Sequence, residues 1–302
     1  ERVIGRPTLY VISDVFSRCI QGFYLTLENP SWIAGLLALE NAFRAKSLYC
    51  AERDIRITPE QWPTCGLPQA ILGDNAEMRT YASDNLVRLG VAISNAAPYR
   101  PDWKGLIERQ LGLVNRVVHN FPSGNPTNKK LRGSADQRLD AALTLRELEK
   151  ILIYYFLFYN NHHVLQNYPT TSAMIADRVP LVPNCLWEWG IANYGNALRQ
   201  VDPSLVRYSL LPKGNATLTE NGFTFQGRRF RLPPEQRMLE ERLSTIARTN
   251  GRQQYPIVYD PRSLDRIYMQ LEKNSPLIEL VLQEMQFSGM YEIDWNFARE
   301  QQ

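Results

Sequence analysis

The order of hydrophobic patterns in residues 1–120 constrains the fold of this chain more than any other feature. Residues 8–13 (TLYVIS) and 19–27 (CIQGFYLTL) are short apolar runs rich in strand-forming residues, and the polar stretch DVFSR lies between them. Helical and strand-like patterns then alternate in the order strand, strand, helix, strand, helix, strand, helix. This alternation predicts an α/β domain with a mixed sheet that begins with a two-stranded hairpin.

Cap and turn residues mark where several of these elements begin and end. Ser31 can cap a helix that starts at residue 32, Gly90 can end a helix, and Asp74 follows a short apolar strand. The elements predicted after the hairpin are a helix from residue 32, a strand at 69–73, a helix at 80–89, a strand at 91–94 and a helix at 104–118.

The second half of the chain has a different pattern. Residues 123–137 are polar and rich in Gly and Pro, which predicts a flexible loop, and a long helix is predicted at 143–160 with a capping box formed by Thr144 and Glu147. From residue 198 on, short alternating runs surround the turn pairs Asn221-Gly222 and Gln226-Gly227, which predicts β-hairpins.

These hairpins predict a small domain, mostly of β-strands and closed into a barrel. Further strands are predicted at 253–259 and 264–271, a helix at 235–247 and a closing helix at 276–287. We therefore expect an α/β core at 1–122, N-terminally incomplete, then a loop, long helix and connector at 123–197. The barrel with its C-terminal helical segment would occupy 198–302.

Composition excludes several classes of protein. The 302 residues are 44% hydrophobic and 22% charged, as in ordinary globular proteins, and the net charge of +3 permits nucleic-acid binding without requiring it. The four cysteines are scattered without a CxxC pair, which favours a reduced intracellular protein over a zinc protein. Because there are only three histidines, we expect any chemistry to depend on carboxylates.

Two acids stand where such chemistry can be built. Asp74 follows a predicted strand, and Glu108 lies in the first turns of a predicted helix within PYRPDWKGLIERQLGLVNR. Carboxylates at a strand end and at a helix start can converge at the edge of an α/β sheet, where they bind hard divalent cations. Taken singly, Asp74 commonly marks only a turn and Glu108 only a solvated helix face. The combination, in this order, favours a metal site for phosphoryl transfer.

The motifs LYVISDVFSRCIQGFYL, ILGDNAEM and NAAPYRPDWKGLIERQLGLVN, in this order and spacing, resemble the catalytic core of retroviral integrases and DDE transposases. RVIGRPTLYVISDVFSR, ENPSW and APYRPDWKGLIER are most similar to TnsB-type transposases, relatives of phage Mu transposase. NGFTFQGRRF resembles the small barrel that follows the Mu-type core. The resemblance implies an RNase H-like mixed sheet with flanking helices, followed by that barrel.

In this family three acids, Asp, Asp and Glu, bind the metals. The second Asp corresponds to Asp74 and the Glu to Glu108, whereas Asp14 corresponds to a turn that is not the metal position. The chain opens on Glu1, so we expect a longer protein in which the first Asp lies upstream. In that case the chain as written would be inactive.

Several polar residues are expected to contact DNA. Asn75 follows the predicted ligand Asp74, and three cations flank Glu108. A second set surrounds a predicted hairpin, from which a β-ribbon can present cations to phosphates. The candidate cations are Arg100, Lys104, Arg109, Arg228, Arg229 and Arg231. Each set has a simpler interpretation as solvated surface.

The resemblance implies a defined reaction and defined partners. Water hydrolyses the strand at each 3′ transposon end, and the freed 3′ hydroxyl then attacks target DNA, with two Mg²⁺ ions (or Mn²⁺) held by the acids. It implies a homo-oligomer on paired transposon ends, an AAA+ regulator of the TnsC type, in many systems a TnsA-type endonuclease, and a bacterial cytoplasmic, nucleoid-associated location.

Three alternatives stay open. The chain can belong to a Mu-like transposase or a retroviral-type integrase with the same fold. It can also be a non-catalytic DNA-binding or architectural subunit that retains the fold. A ribonuclease H is a poorer alternative, because the second domain and the PYRPDWKGLIER segment resemble transposases.

Overall fold

The structure is a computed structural model that describes residues 7–28, 31–73, 86–87, 89–95, 143–194, 198–199, 201–271 and 277–284, with Gly112 and Ser288. The predicted helix at 104–118 and the predicted loop at 123–137 therefore lie outside the described residues, apart from Gly112. The chain divides into two compact units, Glu1–Val201 and Asp202–Gln302, near the boundary predicted at residue 198. Among the described helices, none has both the length and the apolar character of a membrane span.

The first unit opens with the predicted hairpin of β1 (Thr8–Ser13) and β2 (Ile20–Thr26), which pair antiparallel. Cross-strand pairs such as Val11 with Phe23 and Leu9 with Leu25 join apolar side chains on neighbouring strands. The Asp14 N–H donates to the Cys19 carbonyl over 2.9 Å, which closes the turn between the strands. The hairpin prediction is confirmed.

Helix α1 (Trp32–Phe43) begins where the cap predicted it, because the Ser31 side chain accepts the Ala34 N–H. The helix packs closely on β2: a β-carbon at Gly22 would lie 2.5 Å from the backbone nitrogen of Ala42. Only glycine permits this approach of helix to strand. A short helix, α2 (Lys46–Ala51), and a 3-10 turn, Pro59–Gln61, follow.

The long helix α3 (Leu145–His162) confirms the prediction for 143–160 and its capping box. The Thr144 N–H donates to the Glu147 carboxylate over 2.8 Å, and the Glu147 N–H donates to the Thr144 hydroxyl over 3.2 Å. Its buried face joins β2 and the loop after α2 in one apolar core, with Phe156 between Phe23 and Trp62. Helices α4 (Ser172–Ala176) and α5 (Pro183–Tyr194) complete the described part of this unit.

A second sheet in this unit consists of β3 (Ala70–Gly73) and β4 (Ala92–Asn95), which pair in parallel. The turn before β4 has the predicted Gly90 in the left-handed region, with φ +68°. Within the described ranges, the antiparallel β1–β2 pair and the parallel β3–β4 pair form two separate two-stranded sheets. Both strand directions expected of a mixed sheet are therefore present, but no described ladder joins them.

The second unit begins with helix α6 (Pro203–Leu210) and forms a closed six-stranded barrel, as predicted. Every neighbouring pair of strands is antiparallel, in the order β10, β7, β6, β5, β8, β9 and back to β10. The strands are β5 (Lys213–Thr219), β6 (Gly222–Phe225), β7 (Arg228–Arg231), β8 (Gln253–Asp260), β9 (Ser263–Met269) and β10 (Ile278–Leu282). Their inward side chains, with those of helix α7 (Arg237–Asn250), form one apolar core.

Both predicted hairpin turns are present, and each contains a glycine with a positive φ angle. Gly222 has φ +110°, and a β-carbon there would lie 2.6 Å from the Phe230 carbonyl oxygen. Gln226 (φ 50°) and Gly227 (φ 79°) form the two-residue turn between β6 and β7. Left-handed residues match the twist of such hairpins.

The predicted closing helix at 276–287 is wrong where the structure describes it, because residues 278–282 form strand β10. Leu280 and Leu282 point into the barrel, while Glu279 and Val281 are less buried, which is the two-residue period of a strand. Pairing with β7 and β9 closes the barrel and removes its edges, so tertiary pairing determines the structure of this segment.

Candidate functional site

The residues expected to form the metal site lie outside the described residues. These are Asp74 and Glu108, together with the expected DNA contacts Asn75, Arg100, Lys104 and Arg109. The structure does describe the strand that leads to Asp74, since β3 ends at Gly73, the preceding residue. The assignment of these six residues therefore stays a prediction from sequence.

The ends of β3 and β4 define the place that residue 74 follows. The two strands are in parallel register, with Ala70 opposite Ala92 and Gly73 opposite Asn95. Their carboxyl ends therefore lie side by side. In open α/β sheets, ligands bind at such strand ends, where the loops that follow the strands present side chains. The predicted position of an acid directly after β3 fits this geometry.

Arg199 holds the segments that lead into both strands, and sequence reasoning missed it. Its backbone forms an antiparallel bridge with Leu67, in which each N–H donates to the other residue's carbonyl over 3.0 Å. Its guanidinium donates to the carbonyls of Leu89 and Gly90 over 2.6 and 2.8 Å. No local pattern indicates contacts across more than 100 residues; only the helix stop at Gly90 was readable from sequence.

The structure places Asp14 in the turn between β1 and β2, and its exclusion from the metal set stays a prediction. One carboxylate oxygen accepts the Ser17 N–H over 2.6 Å and the Ser17 hydroxyl over 2.7 Å. A carboxylate that binds its own turn in this way stabilises the β1–β2 connection. This contact accounts for the Asp and the Ser of the DVFSR motif.

Within the described ranges, no cluster of three or more His, Cys, Asp or Glu side chains could hold a metal ion. Because Asp74 and Glu108 are not among the described residues, this finding does not bear on them. Two histidines, His162 and His163, lie at the end of α3. His163 is the C-cap, and its ring stacks on Tyr159 with the centroids 4.8 Å apart.

The arginines of the predicted hairpin alternate across β7. Arg228 and Phe230 are fully buried, whereas Arg229 and Arg231 are exposed on the outer face. Arg228 cannot contact a phosphate from inside the barrel, since a strand sends successive side chains to opposite faces. The DNA contacts predicted for this hairpin are therefore limited to Arg229 and Arg231, and DNA contact by these two stays a prediction.

The barrel brings a third exposed arginine beside them. Val281 of β10 is the register partner of Arg231 on one side and of Arg266 on the other. The α-carbons of Arg231 and Arg266 are thus about 10 Å apart, two strand spacings. Sequence reasoning missed Arg266 because the segment containing β10 was predicted to be a helix. We call Arg229, Arg231 and Arg266 the outer arginines.

Each outer arginine lies near one carboxylate from another element. Arg229 Nε is 3.9 Å from Glu284, Arg231 Nε is 3.6 Å from Glu240 of α7, and Arg266 Nη1 is 2.7 Å from Glu279 of β10. The arginine side chains are 70%, 48% and 61% exposed, respectively. Exposed pairs of this kind are weak, typically about 0–1 kcal/mol, so the cations stay available to other anions.

Comparison with known proteins shows which proteins the chain resembles. Residues 1–124 match the family model of the TnsB C-terminal domain. The chain is 33% identical over 300 residues to the Tn7 transposition protein TnsB of Escherichia coli, a match that covers 96% of this chain and 42% of the relative. It is 22% identical over 238 residues to the transposase of transposon Tn552 of Staphylococcus aureus, covering 75% of this chain and 41% of the relative.

The chain thus spans about two fifths of the length of the curated relatives it matches. Among solved structures, an electron cryo-microscopy structure of a simian T-cell lymphotropic virus intasome with PP2A regulatory subunit B56 gamma matches 91% of this chain and 70% of its own. Sequence identity in that match is 11% and the TM-score is 0.35. A likeness at this level carries no conclusion.

The sequence matches identify a relative of transposases. Within that class the similarity is to the TnsB type, because the matching family model and the 33% identical relative are both TnsB. The resemblance drawn from the motifs is confirmed.

Proposed function

We propose that this chain carries the catalytic centre of a DDE transposase, which cleaves transposon 3′ ends and joins them to target DNA. One observation carries the proposal: Asp74 directly follows β3, whose end pairs with that of β4. Asp74 and Glu108 also both fall within the segment that matches the TnsB C-terminal domain. An RNase H-like arrangement of the core belongs to the same proposal.

Asp74 and Glu108 would hold Mg²⁺, or Mn²⁺ in its place. Carboxylate oxygens are the ligands that these hard cations prefer. Bound divalent metal would activate the attacking oxygen and stabilise the leaving oxygen of an in-line phosphoryl transfer. Our assignment for the chain itself is that these two carboxylates supply ligands, and that pairing with β4 fixes the end of β3 from which Asp74 follows, while Arg199 fixes the segments that lead into the two strands.

DNA would meet the chain at two places. Asn75, Arg100, Lys104 and Arg109 would contact the DNA around the reacting phosphate, and the outer arginines of the barrel would contact the backbone elsewhere. The proposal extends to a homo-oligomer on paired transposon ends, a TnsC-type AAA+ regulator and a TnsA-type endonuclease. These partners follow from the TnsB type and from no contact in this structure.

The test uses the complete protein that carries this chain, precleaved transposon-end DNA, a target plasmid and Mg²⁺. We expect Asp74→Asn and Glu108→Gln to abolish strand joining while end binding persists. Asp14→Asn is the matched control, because it removes the same charge from a residue that closes a turn and should retain joining.

Strand joining by either Asp74→Asn or Glu108→Gln protein would overturn the catalytic assignment. Loss of joining in Asp14→Asn protein that still folds and binds ends would move the third metal ligand to Asp14. A wild-type protein that binds ends but joins none, with Mg²⁺ or with Mn²⁺, would instead indicate an architectural subunit.

A further inference from the structure

The carboxylates beside the outer arginines are arranged in a way that the proposed DNA contact does not explain. Each acid comes from a segment other than its arginine's strand: Glu240 from α7, Glu279 from β10 and Glu284 from the residues after β10. Three cations on one face therefore have three separate counter-charges. A face that served only to attract phosphates would be better without them.

Glu284 is held in place independently of the guanidinium it neutralises. One oxygen of its carboxylate accepts the Arg229 backbone N–H over 3.1 Å, and the other lies 3.9 Å from the Arg229 side chain. The neighbouring backbone is fixed as well, because the Gln283 N–H donates to the Arg229 carbonyl over 2.9 Å. If the Arg229 side chain turned toward a phosphate, Glu284 would remain beside it.

The other two acids differ in how tightly they hold their arginines. Glu279 is 2.7 Å from Arg266, a close ion pair, whereas Glu240 is 3.6 Å from Arg231. Arg231 Nε also lies 3.4 Å from the Asn221 carbonyl, so this side chain is shared between two weak acceptors. The three arginine–glutamate distances thus range from 2.7 to 3.9 Å, and all three arginines are substantially exposed.

We infer that Glu240, Glu279 and Glu284 compete with DNA phosphates for the outer arginines. This competition makes the binding of the barrel to DNA weak and sensitive to salt. The inference rests on the proposed contact between this face and the DNA backbone. The occupant is a polyanionic nucleic-acid backbone recognised by charge, without base contacts. The acids act on affinity alone, since none of them belongs to the predicted metal site.

The experiment measures binding of the complete protein to a fluorescent duplex of unrelated sequence over a range of salt concentrations. Glu240→Gln, Glu279→Gln and Glu284→Gln should each raise affinity about two- to five-fold, the equivalent of losing one exposed ion pair. The slope of log K against log salt should steepen by about 0.9 for each additional phosphate that the freed arginine neutralises. Glu241→Gln is the matched control: it makes the same charge change, but its partner is Arg237 of its own helix.

A second set of variants separates failure of the inference from failure of the proposed contact. Arg229→Gln, Arg231→Gln and Arg266→Gln should each weaken binding and flatten the salt slope. If they do so, but the three Glu→Gln variants bind no more tightly than Glu241→Gln, competition by the acids is refuted while the DNA contact stands. If the arginine variants bind as the wild type does, this face does not contact DNA, and both ideas fail. Thermal melting verifies that every variant is folded.

Discussion

The interiors of the two units are held together differently. In the first unit, buried polar side chains join segments far apart in sequence: the Tyr49 hydroxyl donates to the Glu149 carboxylate over 2.5 Å, across 100 residues. Asn160 of α3 bonds both the N–H and the carbonyl of Ile20, across 140 residues, at 2.9 and 3.0 Å. The barrel is held instead by backbone ladders between strands and by an apolar core, and its ion pair of Asp260 with Arg262 spans two residues at a turn.

The first unit thus depends on polar contacts between distant segments, whereas the barrel depends on its strand ladders and its apolar core. A buried hydrogen bond between distant segments contributes little net free energy, yet removing one partner leaves the other unsatisfied at a cost of about 1–3 kcal/mol. In the hairpins of the barrel, a strand is fixed by its turn and by the alternation of apolar residues, each of which is a local property. We therefore expect the two interiors to respond to different substitutions.

The largest effect should come from the barrel core. Phe230 is fully buried on the inner face of β7, so Phe230→Ala removes a large apolar side chain and leaves a cavity. The expected loss of stability is about 3–5 kcal/mol. Hydrogen exchange of the β5–β10 amides, as a measure of the local free energy of unfolding, provides the test.

Val281→Ala is the control, because Val281 lies on the outer face of β10 and is 36% exposed. It should cost only a few tenths of a kcal/mol. Equal effects of the two substitutions would show that the barrel does not depend on its apolar interior, and the comparison between the units would lose its basis.

The next effect should come from the polar interior of the first unit. The Glu149 carboxylate accepts from the Tyr49 hydroxyl and lies 2.9 Å from Arg53 Nε, and the Arg53 guanidinium also lies over the Tyr49 ring at 3.6 Å. Glu149→Gln keeps the shape but removes the buried one of the two carboxylates near the Arg53 guanidinium. We expect a loss of about 2–3 kcal/mol, because unpairing a buried charge costs more than the pair contributes.

Glu52→Gln is matched to that change, since Glu52 lies 3.5 Å from the same Arg53, yet its side chain is 49% exposed. It should cost less than about 1 kcal/mol. Urea unfolding followed by tryptophan fluorescence is suitable, because Trp62 and Trp187 are buried in this unit. A larger loss for Glu52→Gln than for Glu149→Gln would show that surface charge, and not the buried link, stabilises α2 against α3.

The same contrast explains what could be predicted from sequence. The barrel hairpins can be predicted because the pairs Asn221-Gly222 and Gln226-Gly227 are turn signals in the local sequence. Helix α3 can be predicted because Thr144 and Glu147 form a capping box within four residues. Strand β10 was mistaken for a helix because only its partners β7 and β9 make it a strand.

The residues of the candidate site also differ in whether a local sequence pattern could identify them. The outward position of Arg229 and Arg231 agrees with the hairpin interpretation, whereas burial of Arg228 follows from strand parity, which needs the register. The hydrogen bonds of Arg199 and the position of Arg266 depend on tertiary contacts that sequence spacing does not predict. For Asp74 and Glu108, the ordered motifs remain the basis, together with the described end of β3.

The smallest predicted effect concerns pH and the buried ion pair of Asp260 with Arg262. Burial raises the pKa of Asp260, but the charge and hydrogen bonds of Arg262 outweigh it and lower the pKa from 3.8 to about 2. A carboxyl whose pKa is depressed in the folded state adds stability above its unfolded pKa, and this stability is lost as the pH falls from about 4 to about 2. The full contribution is about 2 kcal/mol, at 1.36 kcal/mol per pKa unit.

Barrel stability should therefore decline over this pH range in the wild type, and an Asp260→Asn variant should show a smaller decline. Equal declines in the two proteins would mean that Arg262 does not hold Asp260 ionised.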